Sequence, residues 1–116
     1  MKDTDTALRD ALFPLFGDDA VPGTYRGKSL EYACWNVQTI PAVYAEGFAH
    51  AARQLVLVRY FCPTGHNPNP KKIGISQALI HAGFTTPSIT PAHDKQGQCW
   101  IFECEYANAG AAYGFT

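Results

Sequence analysis

From Gln54 to Cys62 the chain reads QLVLVRYFC, where Leu55, Leu57 and Phe61 alternate with Val56, Val58, Tyr60 and Cys62 and only Arg59 is charged. A run that is apolar at both parities of the two-residue strand repeat belongs to an interior strand, or to one covered by a partner subunit. Leu30 to Val37 repeats the pattern, with Tyr32 and Cys34 at one parity and Ala33, Trp35 and Val37 at the other. The connection Gln38 to Ala52 contains Pro41, Gly47 and five alanines. It far exceeds ordinary hairpin loops of about 2–5 residues. Part of it is therefore expected to prolong both strands as a projecting arm, with Tyr44-Ala45-Glu46-Gly47 near the tip.

The flanking segments switch to helical spacing. Thr4 to Phe16 carries Leu8, Ala11, Leu12 and Leu15 on one stripe, with possible N-caps among Asp3 to Thr6 and a stop at Gly17. Pro14 is expected to damage its last turn. Asp18 to Ser29, punctuated by Pro22, Gly23 and Gly27, reads as a loop. After the break PTGHNPNP, Asn69 as N-cap and Pro70 at the first position open a second helix running to about Ala82, before Gly83. Ile73, Ile75, Leu79, Ile80 and Ala82 form its expected sheet-facing side. Phe84 to Ile89 reads as a short strand, Thr90 to Gly97 as a polar turn and Gln98 to Tyr106 as a last strand, with Trp100, Phe102, Cys104 and Tyr106 turned to the core. Ala107 to Thr116 is expected to be a flexible tail. The expected fold is α+β, a mostly antiparallel sheet of about four strands with two helices packed on it and a long β-hairpin arm.

Composition narrows the function classes. At 116 residues, 47% hydrophobic and only 16% charged, the chain fits one globular domain, residues 1–116. A formal net charge of −1 removes the broad cationic footprint of a phosphate-binding protein. The N-terminus lacks a signal-peptide pattern and no apolar run is long enough to span a bilayer, so a soluble, cytosolic, reducing setting with no membrane partner is expected. Cys34, Cys62, Cys99 and Cys104 have no Cys-x-x-Cys spacing. Cys99 and Cys104, five apart on one strand, face opposite sides, and buried free thiols are expected.

Few residues suggest catalysis. Cys62 and His66 are the nearest approach to a nucleophile and base, but no Asp or Glu stands near them in sequence to orient the imidazole. His50, His66, His81 and His93 lack the i, i+4 spacing of a helical metal site. Lys71 and Lys72 in the first turn of a helix oppose its dipole unless an anion sits there; a solvated pair is expected, with a phosphate site as the alternative. Glu103 and Glu105 share one side of the last strand and read as solvent-facing edge charges. No catalytic, cofactor-binding or metal residue is assigned, and no cofactor is expected.

The order of the landmarks EYACWNV, PAVYAEGFAHAARQ, LVLVRYF, LIHAGF and WIFECEY resembles the small tail-completion and tail-terminator proteins of long-tailed bacteriophages. Pro41, Tyr44-Ala45-Glu46-Gly47, Ala82-Gly83-Phe84 and Phe102-Glu103 carry the likeness, over roughly Leu8 to Tyr106. The return strand departs from it, with Val58-Arg59-Tyr60-Phe61 where many members place an acidic residue and tryptophan, and so does the proline-rich loop Pro63 to Pro70. The resemblance implies a structural virion protein of the tail or neck, present in the host cytoplasm during assembly. Copies would form a ring, as a hexamer in many members, that caps or completes the tail tube and joins it to the head–tail connector. Its partners would be itself, the tail tube protein and the connector protein, with nucleic acid only as DNA passing through the ring. Pro41, Tyr44, Glu46, Gly47, Phe48 and Arg53 are the expected interface residues. The alternatives are a small cytosolic thiol- or metal-dependent enzyme using Cys62, His66 or Cys99, and a nucleic-acid-binding α+β module using Lys71, Lys72 and Arg59.

Overall fold

The computed structural model describes residues 3–45, 48–92 and 97–106. The chain opens with helix α1, Thr4–Phe16, capped by Asp3, whose Oδ1 accepts the Thr6 amide at 2.7 Å. Its buried residues Thr4, Ala7, Leu8, Leu12 and Phe16 form the i, i+4 stripe of a helix lying on a sheet. The expected damage at Pro14 does not occur, and the helix continues to Phe16. Proline removes the bond to the carbonyl four residues back and crowds that carbonyl with its ring, but here less than one turn follows it. The last turn keeps other partners: the Gly17 amide donates to Phe13, and Lys71 Nζ donates to the Leu15 carbonyl at 2.8 Å. Gly17, at φ 59°, turns the chain out of the helix in a conformation costly for other residues.

Five strands follow: β1 Ala20–Pro22, β2 Tyr32–Ala45, β3 Phe48–Pro63, then, after helix α2 Asn69–His81, β4 Ser88–Ala92 and β5 Gly97–Glu105. They form one sheet in the order β1-β2-β3-β5-β4. The α+β class and two helices agree with expectation, but the sheet has five strands and is mixed, because β1 runs parallel to β2. β1 falls inside the stretch read as a loop; three residues ending in proline are too short to show a strand period. β4 likewise lies later than expected, and Phe84 makes only an isolated bridge to Tyr106.

One sheet face carries the core. Ala33 and Trp35 of β2, Val56, Val58, Tyr60 and Cys62 of β3, and Phe102 and Cys104 of β5 meet Leu8, Leu12 and Phe16 of α1 and Ile75 and Leu79 of α2. Each such large side chain contributes about 1.5–3 kcal/mol by leaving water. The Trp35 indole N–H donates to Asp5 Oδ1 at 2.9 Å and its ring lies 5.8 Å from the Arg9 guanidinium, which fixes α1 across β2. Ile73 and Ile80, expected on the buried side of α2, are 58% and 44% exposed. They lie seven residues apart on a different meridian from Ile75, Leu79 and Ala82, and only the latter row faces the sheet. α2 also starts earlier than expected. Asn69 is its first residue rather than its cap, Pro68 occupies the cap position, and Asn67 Oδ1 accepts the Asn69 amide at 3.1 Å.

The arm is present as backbone. β2 and β3 pair continuously from Tyr32↔Phe61 to Ala45↔Phe48, with register shifts between Pro41 and Tyr44. The proline there lacks an N–H for the ladder. β5 leaves β3 at Leu55↔Glu105, and β1 meets β2 only from Ala33 to Trp35. Past these points the ribbon has no further strand neighbour among the described residues. Its seven steps from Gln38 to Ala45 add roughly 20 Å to the sheet. That extension accords with principal extents of 53 × 25 × 25 Å.

Candidate functional site

The arm leaves the body at a buried polar joint. Gln54 and Thr4 are the polar residues buried among the described residues. Thr4 Oγ1 donates to Gln54 Oε1 at 3.0 Å, and Gln54 Nε2 donates to Thr39 Oγ1 on the facing strand. The Gln54 carbonyl also accepts the Tyr106 amide at 3.0 Å. One side chain thus ties the start of α1 to both arm strands, and its backbone ties them to the end of β5. A buried amide with its hydrogen bonds satisfied stabilises modestly, whereas one left unsatisfied costs about 1–3 kcal/mol.

Of the expected interface residues, Pro41 and Tyr44 lie on β2, and Phe48 and Arg53 on β3. Glu46 and Gly47, the expected tip, fall outside the described residues, as do His93 and the tail Ala107 to Thr116. Pro41 pairs with Ala52, Tyr44 with Ala49 and Phe48 with Ala45, so the four described positions belong to one ribbon.

At the opposite end of the sheet lies a junction centred on Glu31. Tyr60 Oη donates to Glu31 Oε2 at 2.9 Å, His66 Nε2 lies 2.9 Å from the same oxygen, and Lys71 Nζ lies 3.3 Å from Oε1. An acidic partner for His66 therefore exists, contrary to the reading of the local sequence. Glu31 is remote in sequence and arrives only because β2 runs beside β3. The cluster nonetheless leaves the thiol unactivated. Cys62 is buried and hydrogen-bonds Tyr60, and burial pushes its thiol pKa up, with the Glu31 charge adding to that rise. Burial likewise pushes Tyr60 well above the ordinary phenol value, helped by its bond to Glu31. A thiolate nucleophile needs the reverse shift.

The lysine pair is engaged internally, which replaces the solvated or anion-bound readings. Lys71 bonds Leu15 and Glu31, and Lys72 Nζ sits 3.5 Å from the centroid of the Trp100 ring. A cation over an aromatic face gains about 0.5–2 kcal/mol, enough to offset an unfavourable dipole position. All four cysteines are free and buried. Cys104 in the core has its thiol pKa pushed up to about 12 by burial, with the Glu105 charge adding to it. Cys34 lies on the other face, its pKa raised by burial against the opposing pull of Arg59.

That second sheet face is divided. At one end the 23–31 segment folds over it, and Tyr25 stacks on Tyr32 at 4.2 Å, which stacks on Phe61 at 4.7 Å. Arg59 Nη2 donates to Asn36 Oδ1 at 2.9 Å beside this ladder. Toward the arm no described segment folds over the face. Asn36, Gln38, Leu55, Leu57, Glu103 and Glu105, walled by Thr85 to Ser88, line a trough of about 490 Å³. Glu103 and Glu105 are thus on an interior strand, between β3 and β4, rather than edge charges. Nothing local in the sequence pointed to the trough, because it forms from residues on four separate segments.

No helix among the described residues is long and apolar enough to cross a membrane. No protein-family model matches the chain, and no curated protein matches it.

Proposed function

We propose that this chain is a structural subunit that self-assembles through the β2–β3 arm into a ring. In the phage reading, the ring caps or completes the tail tube and joins it to the head–tail connector. The observation that carries this is the bare ribbon. A two-stranded hairpin is at best marginally stable in water, and here two strands of 14 and 16 residues continue past their sheet neighbours. Among the described residues neither ribbon edge has a further strand partner, and such edges offer backbone groups that a neighbouring subunit can pair. The sheet's own outer strands are blunted: β1 has three residues and ends in Pro22, and β4 has five and contains Pro91. Pairing capacity is therefore concentrated in the arm, with Pro41, Tyr44, Glu46, Gly47, Phe48 and Arg53 as the proposed contact residues. Ring partners in this reading are further copies, the tail tube protein and the connector, with DNA only in the central passage.

The test is native mass spectrometry of the full chain at micromolar concentration beside a variant in which residues 42–51 are replaced by a two-residue Asn-Gly turn. The full chain is expected as a closed multiple of 12.7 kDa, and the shortened chain as smaller species. A full chain that stays monomeric and ignores tail tube protein contradicts the reading. The thiol-enzyme alternative is opposed by the raised Cys62 pKa, and predicts rapid alkylation of that thiol at neutral pH, where the structural reading expects slow alkylation.

A further inference from the structure

The geometry points to a second self-association contact, in which the Arg26–Leu30 loop of one copy seats in the Glu103 trough of another. It rests on the chain's self-association but not on the arm.

The loop is stiff and unspent. Tyr25 Oη donates to Asp19 Oδ1 at 2.8 Å and accepts the Ser29 amide at 3.0 Å, while Ser29 Oγ donates to Asp19 Oδ2 at 2.7 Å. A Cβ at Gly27 would collide with the Tyr25 hydroxyl, so glycine lets the crest close over the ring. This frame presents Arg26 and Lys28, both exposed, and Leu30, which at 78% is the most exposed large apolar side chain described. The other described basic side chains are engaged: Arg9 over Trp35, Arg59 on Asn36, Lys71 on Glu31 and Lys72 over Trp100. Because the loop is already ordered, docking these side chains costs little backbone entropy.

The trough has the complementary character. Glu103 is exposed in its lining, and Leu57 beside it is 41% exposed. Glu103 meets no cation among the described side chains. A copy's own loop does not fill it, since none of its lining residues comes from that loop. The loop is held through Tyr25 over Tyr32, and Glu103, level with Asn36 through Leu57, lies four residues along the strand, about 13 Å at about 3.3 Å per residue. Both patches lie on the same sheet face, so two copies facing each other satisfy both contacts about one twofold axis.

Complementary charge reversal in the full chain tests this. One variant carries Arg26→Glu with Lys28→Glu, the other Glu103→Lys; all three sites are exposed, and circular dichroism checks the fold. Sedimentation velocity from 1 to 100 µM is expected to show each variant alone weakened in self-association at least tenfold. An equimolar mixture is expected to recover the wild-type association as species containing one of each, because both contacts then pair opposite charges. Variants that associate like the wild type, or a mixture that fails to recover, overturn the loop–trough contact and leave the arm reading standing. Loss of rings on shortening the arm, with charge reversal silent, assigns assembly to the arm alone. A wild-type chain that is monomeric throughout overturns both.

Discussion

The same two strands live in two environments. From Tyr32 to Gln38 and from Leu55 to Phe61, β2 and β3 have strand neighbours, a helical layer on one face and, over part of the other, an aromatic ladder. From Ile40 to Ala45 and from Phe48 to Arg53 the ladder continues with none of those strand neighbours. Backbone pairing runs through both halves, regular in the inner one and with register shifts between Pro41 and Tyr44 in the outer, so pairing alone does not explain the outer half. Sheet stability comes from side-chain burial and cross-strand packing, and a ribbon without a third strand needs another source. In the proposed assembly a neighbouring subunit supplies one.

The largest single effect is expected at the joint between the halves. Gln54→Ala leaves the Thr4 and Thr39 hydroxyls without their partner, and should cost about 1–3 kcal/mol in urea unfolding. Arm amides should then exchange faster while those of Val56 to Tyr60 keep their rank. Uniform loosening of body and arm would show that the joint does not separate them.

A smaller effect, confined to the body, is expected at alkaline pH. Tyr60, Cys62 and Cys104 all have raised pKa values in the fold, from ordinary values of 10.0, 9.0 and 9.0. The folded chain therefore keeps protons that the unfolded chain releases, and stability falls as pH rises above about 9. For Cys104 the fall continues to about 12. Urea midpoints at pH 8, 9.5 and 11 should decline, and Cys104→Ala should make the decline shallower. Shortening the arm should leave the slope unchanged. Midpoints that are flat over this range would contradict the burial of these groups.

The body half was largely legible in the sequence. The alternation in Gln54 to Cys62 identified Val56, Val58, Tyr60 and Cys62 as one face, and the same parity in Trp100 to Tyr106 identified its partner. Helix α1 matched because Asp3, the apolar stripe and Gly17 all mark the same boundaries. What escaped were features made by distant residues. Glu31 reaches His66 only after β2 and β3 pair, the trough collects separate segments, and β1 becomes a strand only by lying beside β2. Ile73 and Ile80 misled because apolar character on a short helix was read as burial without regard to meridian. The arm was foreseen from its length and low charge, although the strands extend further into it than alternation revealed.

The central claim is that the arm is a pairing element completed by another copy. Hydrogen–deuterium exchange of the amides of Thr39 to Ala45 and Phe48 to Arg53, at 1 and 100 µM chain, tests it most directly. Exchange is expected to be fast in the dilute sample and at least tenfold slower in the concentrated one, with the amides of Val56 to Tyr60 slow in both. Arm amides as protected as those of the body at 1 µM, or unchanged between the two concentrations, would contradict the claim.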